Sequence, residues 1–190
     1  MSDLLDFQQR ATEEFDRRVA ATTDDQWKRP TPCADWDVRA LVNHVVYEDL
    51  WAPHLARGET VEQVGDRYEG DQLGSDPKAT WRDASDGALA AFREPGALDR
   101  TVHLSYGDET APGYLSQLVT DHLIHAWDLA RGIGHDDTLD PDLVSWAWEA
   151  IQPHEQMVRQ SGLFGERIDV PDGADVQTKL LAFVGRRRTG

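Results

Sequence analysis

Apolar residues recur at steps of three and four residues in four long segments of the chain, and no other feature constrains the fold as strongly. In the first segment, from residue 3 to about residue 22, they line one face of a helix whose outer positions are charged. The other segments cover about 36–56, 81–93 and 111–132. Helices with one apolar face bury that face against each other, so the spacing predicts a mainly α fold organised as a helical bundle.

Residues that start or stop secondary structure refine these bounds. Asp35 is placed to cap the helix that begins near residue 36. Pro141, directly after Asp140, predicts the first turn of a fifth helix, and "ADVQTKLLAFVGRR" predicts a shorter sixth helix. The alternating pattern of "TVHLSYGDET" predicts a short β-hairpin in the otherwise helical chain.

The length of the chain sets the number of domains that we expect. A chain of 190 residues, of which 39% are hydrophobic, can bury one sizeable core, so a single domain over residues 1–190 is predicted. Residues 57–76 are polar and contain several glycines, which predicts a long mobile loop with at most a turn of helix. A loop of this length is a candidate lid over a binding site.

The charge of the chain excludes two classes of partner. A formal net charge of −16, from 19 basic and 35 acidic residues, repels nucleic acid and anionic membrane surfaces. No stretch approaches the roughly 18 apolar residues of a membrane-spanning helix, and the first residues lack a signal-peptide pattern. The single cysteine, Cys33, permits no internal disulfide and fits a reducing compartment, so a cytoplasmic protein is expected.

Metal-competent side chains interrupt the apolar pattern on two predicted helices. Asp121 and His125 are four residues apart in "DHLIHAWDLARG" and therefore share one face of the helix over 111–132. His44 lies on an apolar face of the helix over 36–56, with Glu48 one turn further on. Metal sites of helical bundles are built in this way, from imidazole and carboxylate groups that face inward from different helices.

The donor types indicate a chemistry but leave alternatives open. Two histidines and a carboxylate leave one coordination position free, as in catalytic zinc sites, and the same donors also suit iron or nickel. His122, three residues before His125, is an alternative to Asp121 as the third ligand. The structural alternatives are core histidines that are satisfied by nearby acceptors, and a simple helical ion pair between Asp121 and His125.

Two further features have both a functional and a structural interpretation. Cys33 precedes a predicted helix N-terminus, where a thiol can become a nucleophile, but small buried cysteines are more common. Asp128 and Arg131 are three residues apart, and a surface ion pair is the simplest interpretation of this spacing.

The segments "TPCADWDVRALVNHVV", "DHLIHAWDLARG" and "GLFGERIDVPDGADVQTKLLAFVGR" together resemble one protein family. It comprises actinobacterial metal-binding proteins related to mycothiol-dependent maleylpyruvate isomerase, in the DinB-like superfamily. The resemblance covers most of the chain and implies a DinB-like four-helix bundle with additional C-terminal helices and the short hairpin. It further implies a divalent metal held by His44, Asp121 and His125, although the isomerase pattern has a glutamate at the position of Asp121 and other DinB-like proteins have a histidine.

The resemblance also implies an activity. The expected protein is a thiol-dependent metalloenzyme that uses mycothiol for S-transfer to a small electrophile, or for isomerisation of an unsaturated acid. Zn²⁺ is the favoured ion, with Ni, Fe or Mn as alternatives, and Glu48 is the candidate for orienting a ligand or transferring a proton. A homodimer is consistent with the resemblance. The two competing functions are a metal-dependent hydrolase that acts without thiol and a non-enzymatic, stress-related helical module.

Overall fold

The computed structural model describes residues 2–162 and 164–188, and most of these residues are helical. Position 163 and the outermost ends of the predicted 1–190 domain lie outside the described residues. The described α-helices are α1 (Ser2–Ala21), α2 (Val38–Ala56), α3 (Val61–Val64), α4 (Pro77–Arg93), α5 (Ala111–Ile133), α6 (Pro141–Ile151), α7 (Glu155–Ser161) and α8 (Val176–Phe183).

Four of these helices form the bundle that the apolar spacing predicts. α1 packs against α4 and α5, and α2 also packs against α4 and α5, so each helix has two neighbours. α5 is buried on nearly all sides, because it lies between the other helices and the loops that cover them. The largest side chains that are fully buried in the bundle are Phe15, Leu41, Trp81, Phe92, Leu123 and Trp127. The predicted mainly α bundle is confirmed.

Local capping explains where the helices begin. α2 begins at Val38 because Asp37, rather than the predicted Asp35, accepts a hydrogen bond from the backbone N–H of Ala40. α4 begins earlier than its apolar spacing indicates, since Asp76 caps it and Pro77 occupies its first turn. The predictions of α2 and α4 were therefore correct in the type of element and wrong by a few residues in where the helix begins.

The predicted hairpin is confirmed and leads directly into α5. Its strands are β1 (Thr101–Leu104) and β2 (Gly107–Thr110), which pair antiparallel with Thr101 opposite Thr110. The hydroxyl of Thr110 then accepts the backbone N–H of Gly113 and caps α5.

The segment over residues 57–76 is anchored to α2 by polar side chains. It contains the short helix α3, which Thr60 and Gln63 stabilise by a capping box. Asn43 donates to the carbonyl of Gly70 and accepts the N–H of Gln72, while Arg39 binds Asp71 at 2.7 Å and the carbonyl of Gly74 at 2.8 Å. These contacts anchor the second half of the segment to α2, and its role as a lid stays a prediction.

Two compact units make up the described chain, one ending at Asp137 and one beginning at Thr138. In the second unit α6 packs against α8, and Trp148 contacts Phe183 edge to face at 5.7 Å. The fifth and sixth predicted helices correspond to α6 and α8, whereas α7 was not predicted. The prediction of a single domain over 1–190 stays a prediction. No helix within the described residues is long and apolar enough to cross a membrane.

Candidate metal centre

The three side chains predicted as metal ligands meet between α2 and α5. Asp121 Oδ2 lies 3.6 Å from His44 Nε2, and Asp121 Oδ1 lies 3.3 Å from His125 Nε2. One donor atom from each residue lies within 4.8 Å of the other two. The aspartate therefore approaches both histidines, although it is one methylene shorter than the glutamate that the resemblance implies.

Opposite charges within this cluster stabilise the ionised forms of Asp121 and His125. Burial alone would raise the pKa of Asp121, but the imidazoles of His125 and His44 outweigh burial and hold the pKa well below its usual range. Burial would lower the pKa of His125, but the carboxylates of Asp121 and Asp128 raise it well above its usual range. The cluster therefore favours a positive charge between the two carboxylates.

The donor set fits a divalent cation. Asp121 Oδ2 is buried, and its ion-pair partner, His44 Nε2 at 3.6 Å, lies beyond hydrogen-bond distance, so this carboxylate oxygen has a free position for a cation. Two imidazoles and one carboxylate form a set that leaves a position for water or a substrate. The side chains of His44 and Asp121 are 25% and 27% exposed, so a small molecule can approach the cluster from their side.

The second ring nitrogen of His125, Nδ1, faces Asp128 and Cys33, two residues that were not predicted to lie at the site. His125 Nδ1–H donates to Asp128 Oδ2 at 3.0 Å, and the thiol of Cys33 donates to the same oxygen at 3.2 Å. A carboxylate only accepts, so Nδ1 carries a hydrogen, and Nε2 is the ring nitrogen that is directed to Asp121. The donor atoms of Cys33, His125 and Asp128 also lie within 4.8 Å of one another. Because Cys33, His125 and Asp128 already contact each other, we infer that Cys33 and Asp128 hold the His125 ring in position.

The prediction that Asp128 lies at the surface, in an ion pair with Arg131, is wrong about its location. Asp128 is fully buried, because it faces the bundle core one turn after His125. Arg131 lies at the exposed end of α5 and binds Asp137 at 3.2 Å. An acidic residue one turn after a candidate ligand, inside a helix without an exposed face, is the signal that could have identified Asp128 from the sequence.

The loop between α1 and α2 forms an aromatic wall on the cluster. The ring of Trp36 lies 4.6 Å from that of His44 and 5.8 Å from that of His125, measured between centroids. The Thr31 hydroxyl donates to the carbonyl of Trp36 at 2.8 Å and fixes the loop. Gly132 allows this loop to approach α5 closely, since a Cβ at this position would lie 3.1 Å from Thr31 Cγ2.

His122, the alternative third ligand, faces the bundle core instead. Its Nε2–H donates to Asp49 at 3.2 Å, its Nδ1–H donates to the Leu118 carbonyl at 2.8 Å, and Trp81 packs against its ring at 5.8 Å. Burial would lower the pKa of His122, but the buried carboxylate of Asp49 raises it to about 9. Both ring nitrogens are engaged, so His122 stands apart from the cluster in a buried ion pair.

Glu48 lies half-buried on α2, one turn after His44, as the sequence predicts. Burial raises the pKa of Glu48 to about 7, and the negative charge of Asp121 acts in the same direction. A carboxyl group with this pKa is present in both protonation states at neutral pH, which is the property that proton transfer requires.

We expect Asp128→Asn to weaken metal binding by about 10- to 100-fold, because an uncharged amide orients His125 less firmly and makes it less basic. Titration against a competing chromophoric chelator measures the affinity. Asp137→Asn is the matched control, because Asp137 lies near the same end of α5 but binds Arg131 rather than a cluster residue. Equal affinities of the two variants would show that Asp128 does not support the centre.

Three comparisons place this geometry among known proteins. The sequence profile described as "Mycothiol maleylpyruvate isomerase N-terminal domain" matches residues 9–130, which include all three predicted ligands. An uncharacterized protein of Mycobacterium tuberculosis, matched in two strains, is 32% identical over 97% of this chain and 98% of the relative.

Two solved structures share the fold. The mycothiol-dependent maleylpyruvate isomerase and one of its mutants superpose with TM-scores of 0.65 and 0.67, covering 84% of this chain and 71% of theirs. Their sequences are 15% identical to this chain, so the match confirms the DinB-like four-helix bundle but not an activity. By its sequence profile and by its fold, the chain belongs to the mycothiol maleylpyruvate isomerase N-terminal domain family.

Proposed function

We propose that the protein is a thiol-dependent metalloenzyme that transfers sulfur to a small electrophile or isomerises an unsaturated substrate. The single observation that carries the proposal is the cluster of His44, Asp121 and His125, whose Asp121 Oδ2 is buried without a hydrogen-bond partner. Membership of the family, together with the mycothiol dependence of the isomerase that shares the fold, supports mycothiol as the thiol.

In this proposal His44, Asp121 and His125 hold the metal ion, with Zn²⁺ as the predicted ion and Ni, Fe or Mn as alternatives. A bound divalent ion supplies Lewis acidity, which lowers the pKa of a coordinated thiol and keeps a thiolate nucleophile at neutral pH. Asp128 holds His125 in the tautomer whose Nε2 faces Asp121. The ring of Trp36 covers the two histidines and limits the access of water on that side.

Glu48 is the proposed proton-transfer group. Its carboxyl lies one turn from His44, and a raised pKa of about 7 suits it to accept the thiol proton and later return a proton to the carbon next to the one that bonds sulfur, which carries the electron pair of the broken double bond. Above pH 7 the ionised form predominates and serves as a base, whereas below pH 7 the protonated form serves as an acid. The homodimer and the cytoplasmic location stay predictions beside this proposal.

Metal loading followed by thiol titration tests the proposed function. Protein purified without a His-tag is loaded with Zn, Ni, Mn or Fe in turn and assayed for conjugation of low-molecular-weight thiols, mycothiol included, to a panel of electrophiles. A cobalt-substituted sample reports thiol binding through its visible spectrum. Failure to bind a thiol and to conjugate any electrophile would refute the proposal, and turnover without added thiol would favour the hydrolase instead.

Glu48→Gln tests the proposed proton transfer. We expect kcat to fall by about 10²- to 10⁴-fold and the ionisation of this carboxyl to disappear from the pH profile of kcat. Metal content should stay unchanged, because Glu48 is not among the proposed ligands. Glu62→Gln, an exposed residue of α3, is the control. A variant whose pH profile of kcat matches that of the unsubstituted protein would exclude Glu48 from proton transfer.

A further inference from the structure

Tyr106 is exposed to solvent, whereas every other aromatic side chain of residues 2–162 and 164–188 is at least partly buried. It lies in the turn between β1 and β2, and 64% of its surface is exposed. Burial of an aromatic ring stabilises a fold, so this exposed position gives up stabilisation. Single exposed rings are common on protein surfaces, and the surroundings of Tyr106 therefore decide whether it has a role.

A hydrogen bond holds Tyr106 against α5. Its hydroxyl donates to Oε1 of Gln117 at 2.8 Å, which brings the tip of the hairpin to this helix. Because the amide oxygen is engaged, the amide nitrogen of Gln117 faces away from Tyr106. Within the described part of the chain this nitrogen has no hydrogen-bond partner. The pair therefore presents to solvent an aromatic face and, next to it, two N–H donors.

Gln117 lies on the side of α5 from which the candidate centre is accessible. Gln117, Asp121 and His125 follow each other at steps of four residues, so neighbouring members share a helix face with Cβ atoms about 6 Å apart. His125 is buried, with the ring of Trp36 5.8 Å away, whereas Asp121 is partly exposed and Gln117 fully exposed. The three residues between Gln117 and Asp121 are buried. The accessible strip of α5 therefore leads from Asp121 to Gln117 and on to Tyr106.

We propose that Tyr106 and Gln117 bind the sugar part of a thiol cosubstrate whose sulfur lies at the metal centre. The face of an aromatic ring packs against the C–H groups of a sugar ring, and amide N–H groups beside it donate to the sugar's hydroxyl oxygens. Mycothiol has the required chemistry, because its thiol belongs to an N-acetylcysteine that is linked to glucosamine and inositol. This inference rests on the proposed function, since it assigns the ligand chemistry of the same site.

Titration of the cobalt-substituted protein with two thiols tests the proposal. Mycothiol and N-acetylcysteine offer the same sulfur group, but only mycothiol carries a sugar. We expect Tyr106→Ala and Gln117→Ala each to raise the Kd of mycothiol by about tenfold and to leave that of N-acetylcysteine unchanged. Tyr106→Phe keeps the ring and should lose less affinity than Tyr106→Ala. Met157→Ala, which removes an exposed apolar side chain of α7, is the control and should change neither Kd. Equal effects on both thiols, or no effect on mycothiol, would overturn the proposal.

A measurement without any thiol separates this inference from the proposed function. Saturation-transfer NMR on the zinc-loaded protein uses glucosaminyl inositol, which is mycothiol without its N-acetylcysteine. We expect signals from the ring protons of this probe, which Tyr106→Ala abolishes and Met157→Ala retains. Absence of the signals, or signals that do not depend on Tyr106, overturns the inference even if the protein conjugates thiols. If the dependence is found but no electrophile is conjugated to any thiol, the proposed function fails and the sugar site stands.

Discussion

His44→Ala should abolish metal retention. Loss of a residue that merely orients a ligand costs about 10- to 100-fold in affinity, so loss of a direct ligand should exceed the upper end of that range. His44 is also the one proposed ligand that α2 supplies, and without it Asp121 and His125 remain as two donors on a single helix. Elemental analysis of protein purified without a His-tag measures the metal content directly.

A second histidine controls for the general effect of removing an imidazole. His103 lies exposed on β1, where it binds Asp108 at 2.7 Å, and His103→Ala should retain full metal content. Thermal unfolding of both variants shows whether each is folded. An unchanged metal content in folded His44→Ala would remove His44 from the centre.

Asp49→Ala should give the largest loss of stability, about 3–5 kcal/mol in the free energy of unfolding. The substitution leaves His122 as an unpaired group in the bundle core, where both partners of the ion pair are at most 5% exposed. Urea unfolding at pH 6.5 measures the difference from the unsubstituted protein. Asp108→Ala breaks the exposed pair with His103 and should cost less than about 1 kcal/mol.

The same pair predicts how stability depends on pH. The pKa of His122 is raised to about 9 in the folded protein, from 6.5 for an ordinary histidine, so the folded state binds the proton more tightly. The contribution of the pair is therefore fully present below pH 6.5 and is lost as the pH rises through about 9. The difference in stability between the unsubstituted protein and Asp49→Ala should shrink across this interval, and a constant difference would contradict the assignment of the charge to His122.

The helices of the bundle were predictable because their apolar spacing follows directly from packing. Each long helix buries one face, and the sequence of α1, α2, α4 and α5 records that face at steps of three and four residues. α7 has seven residues and no side-chain cap, so neither periodicity nor boundary signals could identify it.

The candidate centre was predictable only in part, since spacing locates a residue on a helix but not its partners on other elements. The sequence shows that Asp121 and His125 are four residues apart on one helix and that His44 lies on another. The structure brings these three residues together. Asp128 was misassigned because its spacing to Arg131 also satisfies a surface pair. Cys33 contacts Asp128 from a loop 95 residues away in sequence, and no local pattern predicts such a contact.

If the centre holds a metal ion as we propose, the two-sided environment of His125 makes it an exchange site between a proton and that cation. Asp121 and Asp128 raise the pKa of this imidazole well above its usual range, so the proton on Nε2 must leave before a metal ion binds there. Each ion taken up then releases acid, and each drop in pH favours release of the ion. Under the proposed function, acidification would thereby remove the metal ion from this protein without any change in the metal supply.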